Sequence, residues 1–454
     1  MKQQIHQGMK RLFITCGMAM FLVSVSIWGQ VSGRQWTLQE CVNYALQNNI
    51  SLQKSRIQKL SAVEDVKQAK ADLLPSLTAS TNQNMVYRPW MESGQNTVAN
   101  GTVLSSVDKV YYSGSYAVNA NWTVWNGNKN RNAVKQNQLL AQQAELDSAV
   151  TANSIQEQIA KLYIQILYSK EAIEVYKQTF EVSKLNEERG QAFVDVGTMS
   201  KSDLAQLTSQ RAQDEYNIVS AESNLASYKL QLKQLLEITD DQSFDVAAPS
   251  ASDLNALEEI PSLLTVYERA LGIRPEIQNS KLAIESSDVA IKIAKAGKMP
   301  TIGISGGFGT NTTTMTNDGW GKQLKTNFDA SVGATLSIPL FDNRQTKTAV
   351  NKAILQRESS ILDLKDQQKT LYSTIETYWL DATTNQNKYK AACVAVESEE
   401  MSYELLSEQF CLGLKNIIEL MTGKTNLLTA QQNELQSKYL TILNIQLLKF
   451  YEGF

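Results

Sequence analysis

From Phe328 to Ile338 apolar and polar side chains alternate, with Phe328, Ala330, Val332, Ala334, Leu336 and Ile338 interleaved with Asp329, Ser331, Gly333, Thr335 and Ser337. That period of two predicts a strand over 327–338 with one apolar and one polar face, and at ~3.3 Å per residue it spans about 40 Å. A tilted transmembrane strand needs only about 9–11 residues, so the length suffices to cross a bilayer. The period then changes at Pro339-Leu340-Phe341-Asp342-Asn343, after which no proline occurs and helical spacing takes over. Strand 112–125 repeats the design, with Tyr116, Val118, Ala120, Trp122 and Val124 on one face and Ala117, Asn119, Asn121 and Thr123 on the other. Tyr87 and Trp90 at one end, and Trp122 and Trp125 at the other, suit the two aromatic belts of a membrane barrel. A soluble antiparallel sheet with one buried face would alternate in the same way and is the competing reading.

Proline and alanine positions reveal two copies of one unit. Ala45-Leu46 and Pro75 recur as Ala270-Leu271 and Pro300, both at the same offset. Trp125-Asn126-Gly127, Gly197 and Asp203-Leu204 recur as Phe341-Asp342-Asn343, Gly413 and Glu419-Leu420, all at a second, shorter offset. The change falls between Pro75 and Trp125, where the first repeat has the longer loop. Each repeat reads helix, strand, loop, strand, long helix, turn, helix. The first, 36–239, gives 36–74, 76–88, 112–125, 128–188, a turn near Gly197 and 200–238. The second, 263–454, gives 263–298, 301–309, 327–338, 343–410, a turn near Gly413 and 415–450, and residues 240–262 join the two. Ile159, Ile166, Ile173 and Phe180, and Leu364, Leu371 and Tyr378, keep a heptad step along the long helices, as in a coiled-coil seam.

Four strands cannot close a barrel, and an open sheet edge is not tolerated in lipid, so several chains must share one. Two would give eight strands and an interior filled by side chains, whereas three give twelve and a wider lumen suited to Asp329, Ser331 and Thr335.

Lys2, Lys10 and Arg11 precede an apolar run from Leu12 to Trp28, so residues 1–30 read as a secretory signal. Cys16, a position for lipidation, lies inside the run after Thr15, which argues against an acyl anchor. Without the signal the net charge of −3 falls to about −6, which is not the charge of a nucleic-acid binder. His6 leaves with the signal, removing His-based metal sites and a His general base. Cys41, Cys393 and Cys411 read as packing residues, and no cofactor is expected. Gly303-Ile304-Ser305-Gly306-Gly307 matches the G-x-S-x-G nucleophile pattern but falls inside a predicted strand, so no catalytic residue is assigned and the chain reads as a non-enzyme.

The opening Trp36-Thr37-Leu38-Gln39-Glu40-Cys41 through Asn48-Asn49, Arg274-Pro275-Glu276, Pro339-Leu340-Phe341-Asp342 and the turn glycines Gly197 and Gly413 resemble the TolC family of outer-membrane efflux channels over residues 36–450. The resemblance implies a homotrimer in which a 12-stranded transmembrane β-barrel, four strands per chain, continues as a 12-helix periplasmic α-barrel. Its implied role is a passive exit channel of a tripartite efflux or type I secretion system, working with a periplasmic adaptor and an inner-membrane transporter. It also implies a periplasmic gate: Glu419 as an acidic ring, with Thr422 where a second acid often stands, and a latch of Asp203 with Lys415 and with Phe410, which lacks the family tyrosine's hydroxyl. The alternative is a periplasmic coiled-coil adaptor or structural rod, which would share the heptads but not need the strands. For Asp203 the plain alternative is a solvated charge favouring its own helix N-terminus.

Overall fold

In the computed structural model, residues 35–90, 94–98, 101–105, 109–239, 244–248 and 255–453 are described. The signal segment 1–30, parts of 90–111 and 240–262, and Phe454 lie outside them. In chain order the elements are β1 (Gln35–Trp36), α1 (Leu38–Asn48), α2 (Ile50–Ala71), β2 (Ser76–Tyr87), β3 (Gly94–Val98), β4 (Gly101–Ser105), β5 (Val110–Trp125), α3 (Lys129–Asp195) and α4 (Lys201–Leu235). There follow β6 (Asp245–Val246), α5 (Leu263–Ile273), α6 (Pro275–Lys295) with one 3-10 turn, β7 (Thr301–Thr313), α7 (Trp320–Thr326), β8 (Asp329–Ser337), α8 (Gln345–Cys411) and α9 (Ile417–Glu452).

The repeat is written in the backbone as well as in the sequence. Asn49 and Arg274, equivalent positions of the two repeats, have nearly the same extended conformation and split each expected opening helix in two. Asn49 caps α2 by accepting from Leu52 N–H, while α6 instead begins with Pro275, whose missing N–H is one the first turn leaves unpaired anyway. At the joints entering the long helices, Gly127 and Asn128 in the first repeat and their counterparts Asn343 and Arg344 in the second all have positive φ. Asn126 and Asp342, again counterparts, accept from the backbone N–H of Asn130 and Thr346.

The chain divides into two compact units, and each draws on both repeats. One comprises residues 48–158, 256–397 and 436–454. Its sheet has the order β2-β5-β7-β8, antiparallel throughout. The register aligns Leu77, Ala120, Gly306 and Val332 in one row and Ala79, Val118, Phe308 and Ala330 in the next. On the opposite face, Thr78, Asn119, Gly307 and Ser331 form one row and Ser76, Asn121, Ser305 and Gly333 another. Four strands therefore present one apolar and one polar surface, and Leu77, Val332 and Leu336 are exposed on the apolar one.

Elsewhere in this unit, Val266, Ala270 and Ile277 of α5 and α6 pack against Leu371, Ile375 and Ala382 of α8 and Ile445, Leu448 and Tyr451 of α9. Arg274 is buried here, paired with Glu276 at 2.8 Å and stacked 4.2 Å over the Tyr451 ring. The phenols of Tyr378 and Tyr451 both donate to Glu157. Burial, then the Glu157 hydrogen bond, pushes the Tyr378 phenol up.

The second unit comprises 1–47, 159–255 and 398–435. The joining segment 240–262 is more than a linker, because β6 within it pairs in parallel with β1. Two residues per strand cannot signal themselves by periodicity; Tyr163, whose phenol donates to Ala247 O at 2.6 Å, holds the pair in place. Burial pushes the Asp245 carboxyl up, and hydrogen bonds from Lys170 and Lys229 outweigh it and hold it below its ordinary value. Ile159 and Ile166 of the heptad seam are fully buried.

Two loops also carry more structure than expected. The 90–111 loop holds the β3–β4 hairpin, and β7 runs past 309 to Thr313 before α7 forms in the 310–326 loop. Strand β8 is shorter than 327–338, spanning nine residues.

Candidate functional site

The two turns ending α3 and α8 are built alike. In the first, Gly197 N–H donates to Val194 O and Thr198 N–H to Phe193 O; in the second, Gly413 N–H donates to Phe410 O and Leu414 N–H to Gln409 O. These are Schellman closures, and both glycines take the left-handed conformation that the motif requires, φ 80° and 72°. The helices that follow begin alike too. Ser200 Oγ accepts from Asp203 N–H, and Asn416 Oδ1 accepts from Glu419 N–H. Glu419 reciprocates by accepting from Asn416 N–H, completing a capping box.

Asp203, Phe410 and Lys415 line one cleft of about 550 Å³, with Phe193, Met199 and Cys411. The expected pair between Asp203 and Lys415 does not form. Lys415 stands just before its helix, and its ammonium reaches Glu419 one turn on at 2.6 Å. That hydrogen bond first, then the Asn416 N–H, holds the Glu419 carboxyl below its ordinary value. Among the described residues Asp203 has no ion pair, and its place at a helix start fits the plain alternative. Phe410 is buried with Leu207, Ile417 and Leu420, its ring 6.1 Å from Phe193. Thr422 donates back to Ile418 O.

Of the three cysteines outside the signal segment, Cys41 is buried, Cys393 is half-buried and Cys411 is exposed at the cleft, so packing does not account for Cys411. Burial, with the Glu40 charge, raises the Cys41 thiol to about 12. Ser305 sits on the polar face of β7 between Asn121 and Gly333, without the strand–turn–helix setting of a nucleophile. Nearby, a Cβ on Gly307 would lie 2.7 Å from Val118 O, so close strand approach explains that glycine. Among the described residues no cluster suited to a metal ion occurs, and no helix is long and apolar enough to cross a membrane.

A buried charge cluster was missed by the sequence reading. Lys424 of α9 donates to Asp214 of α4 and to Ser183 of α3, while Ser183 and Gln210 also donate to Asp214. Asp214 and Lys424 are almost fully enclosed. Burial pushes the Lys424 ammonium below its ordinary value, against the opposing pull of Asp214. A signal was present: Asp214 falls one heptad after Leu207, and Lys424 one heptad after Ile417, so both charges stand where the apolar stripe continues.

The Outer membrane efflux protein family matches residues 41–237 and 266–450, and the chain belongs to that family. Outer membrane protein TolC of Vibrio cholerae is 24% identical over 431 residues, 92% of this chain and 91% of that protein. Alkaline protease secretion protein AprF of Pseudomonas aeruginosa is 21% identical over 305 residues, 65% of this chain and 60% of that one. CusC, solved in a study of its transmembrane channel formation, superposes with a TM-score of 0.77 at 14% identity, covering 94% of this chain and 95% of CusC. At that identity the superposition shows the fold alone. The chain is therefore an outer-membrane efflux protein of the channel-forming fold, with four barrel strands and a helical part.

Proposed function

We propose that three copies of this chain close one 12-stranded barrel, and that the resulting pore is the passive outer-membrane exit of a tripartite efflux or type I secretion system. The register of the sheet carries the proposal. Asparagine, serine, threonine and glycine line one face of the four strands and mainly apolar residues the other, while among the described residues β2 and β8 each have a strand partner on one side only. A wet lumen and a lipid-facing exterior need that division of faces, and the unpaired edges need neighbouring chains. The secretion and efflux roles named for the relatives favour the same use here.

The turn region is read as the periplasmic entrance, with Glu419 and its partner Lys415 setting the charge there and the Phe410 cluster holding the two turns together. Val196, Leu412, Leu414 and Ile418 are exposed around the two turns, an apolar surface suited to a periplasmic adaptor, which would link the channel to an inner-membrane transporter. We read the chain as a conduit without catalysis of its own.

A single cysteine at Thr314, in a background without native cysteines, tests the orientation. Thr314 is exposed beyond β7 and should react in intact cells with an impermeant thiol reagent, while Thr198→Cys should not. The reverse pattern would overturn the reading.

A further inference from the structure

Strand β8 stops pairing at Asp329, opposite Gly309, while β7 continues to Thr313. Helix α7 occupies the edge left open. The buried Gln323 side chain accepts from Thr313 N–H at 2.7 Å and donates to Thr313 O at 2.9 Å and Asp318 O at 2.7 Å. Asn327 donates to Asn311 O, and Thr310 Oγ1 donates to Leu324 O. A helix tied to its strand at so many points is a built element.

Its position relative to the faces follows from the register. Thr310 and Tyr116 are cross-strand partners in the row beside Val118 and Phe308, on the apolar face. Thr310 bonds to α7, and the Trp320 ring meets Tyr116 edge-on at 5.9 Å, so α7 lies on that face. Thr312 beneath it is buried. Trp320 is still 60% exposed, and Lys322, whose ammonium pairs with Asp318, is exposed beside it. Along this face the rows pass from Ile304 and Phe308 to Tyr116, with the Phe328 ring against Phe308 and Trp320 against Tyr116, and α7 carries Lys322 and Lys325, both exposed. Apolar rows ending at outward aromatics, with exposed lysines on the helix that carries Trp320, suit the acyl, boundary and headgroup layers of a bilayer.

We propose that α7 is an interfacial anchor whose partner is the lipid surface, with Trp320 at the acyl–headgroup boundary and Lys322 and Lys325 against anionic headgroups. The proposal rests on the reading that the apolar face meets lipid. It gives the loop a task that edge-capping alone does not require, because Gln323 and Asn327 would cap the edge without an outward tryptophan.

The test uses the full-length trimer in nanodiscs made with lipids brominated either near the headgroup or deep in the acyl chain. The Trp320→Phe and Trp122→Phe variants, each checked for trimer mass, isolate two tryptophans by difference. Trp320 should be quenched by shallow bromines more than by deep ones. Lys325→Gln should weaken the preference of the nanodisc-bound protein for anionic over zwitterionic lipid by about fivefold. An unquenched Trp320 alongside a quenched Trp122 would overturn the anchor and leave the barrel reading standing. If neither is quenched, the membrane reading itself fails. A shallow-quenched Trp320 with no lipid preference lost in Lys325→Gln would remove the headgroup role of the lysine and so contradict the proposal in that part.

Discussion

Gly190 of α3 faces Leu207 of α4, and at the equivalent positions of the second repeat the sizes are exchanged, with Leu406 of α8 facing Gly423 of α9. A Cβ on Gly190 would come within 2.5 Å of Leu207 Cδ1, and one on Gly423 within 2.6 Å of Leu406 Cδ1. Each hairpin therefore fills one contact with one leucine, contributed by opposite helices. Because Leu207 is already enclosed with Phe410 and Leu420, it has little room to yield. Gly190→Leu should destabilise this unit by about 1–3 kcal/mol through overpacking. Adding Leu207→Gly, which copies the second repeat's arrangement, should recover part of the loss despite the helical glycine, with a coupling of about 0.5–3 kcal/mol in a thermal-unfolding cycle. Additive losses would mean that the two residues do not share one contact.

Asp214 and Lys424 form a buried pair with its hydrogen bonds supplied by Ser183 and Gln210. Removing one partner strands the other charge, so Asp214→Ala should cost about 3–5 kcal/mol, read as loss of helical signal on heating. Replacing both, Asp214→Leu with Lys424→Met, should return most of that. A single variant as stable as the wild type would mean that water reaches the pair.

Burial raises the Tyr163 phenol to about 12, against an ordinary value of 10. The unfolded chain loses this proton first as pH rises, so the stability it confers is complete below pH 10 and is lost as pH approaches 12. Tyr163→Phe should flatten that alkaline decline and, by deleting the bond to Ala247 O, cost about 1 kcal/mol at neutral pH. Stability against pH, followed with phenolate absorbance, checks both parts; an unchanged alkaline limb would assign the decline to other groups.

At the start of α9, Lys415 pairs with Glu419 one helix turn on. Lys415→Ala should raise the cation preference of the pore and Glu419→Gln should lower it, measured as reversal potentials across planar bilayers under a salt gradient. Unchanged values in all variants would make these residues ordinary helix-start charges.

Much of this fold was legible because long periodic segments announce themselves. The alternation in 327–338 and the two offsets between the repeats placed the strands, the two turns and the strand–helix joints. Less was legible where one side chain or a distant partner decides the structure. The break at Asn49 depends on one capping amide, and β1 and β6 pair across the whole length of the first repeat with two residues each. Helix α7 exists because Gln323 finds an open strand edge that only the mismatch of β7 and β8 creates. At the turns, the family resemblance pointed to Asp203, Lys415 and Glu419 but not to which acid the lysine would choose, since an acid one turn away on the same helix competes with any across the cleft. Asp214 and Lys424 passed unmarked because most charged side chains face water.

The shared barrel is the claim on which the pore, its lumen and its entrance depend. Mass by light scattering of the detergent-purified protein, corrected for bound detergent and paired with circular dichroism, tests it most directly. Three chains per particle, with strand content lost when the particle dissociates, is the expected result. A stable single chain that keeps all its strands would show that β2 and β8 need no neighbour, and would contradict the account.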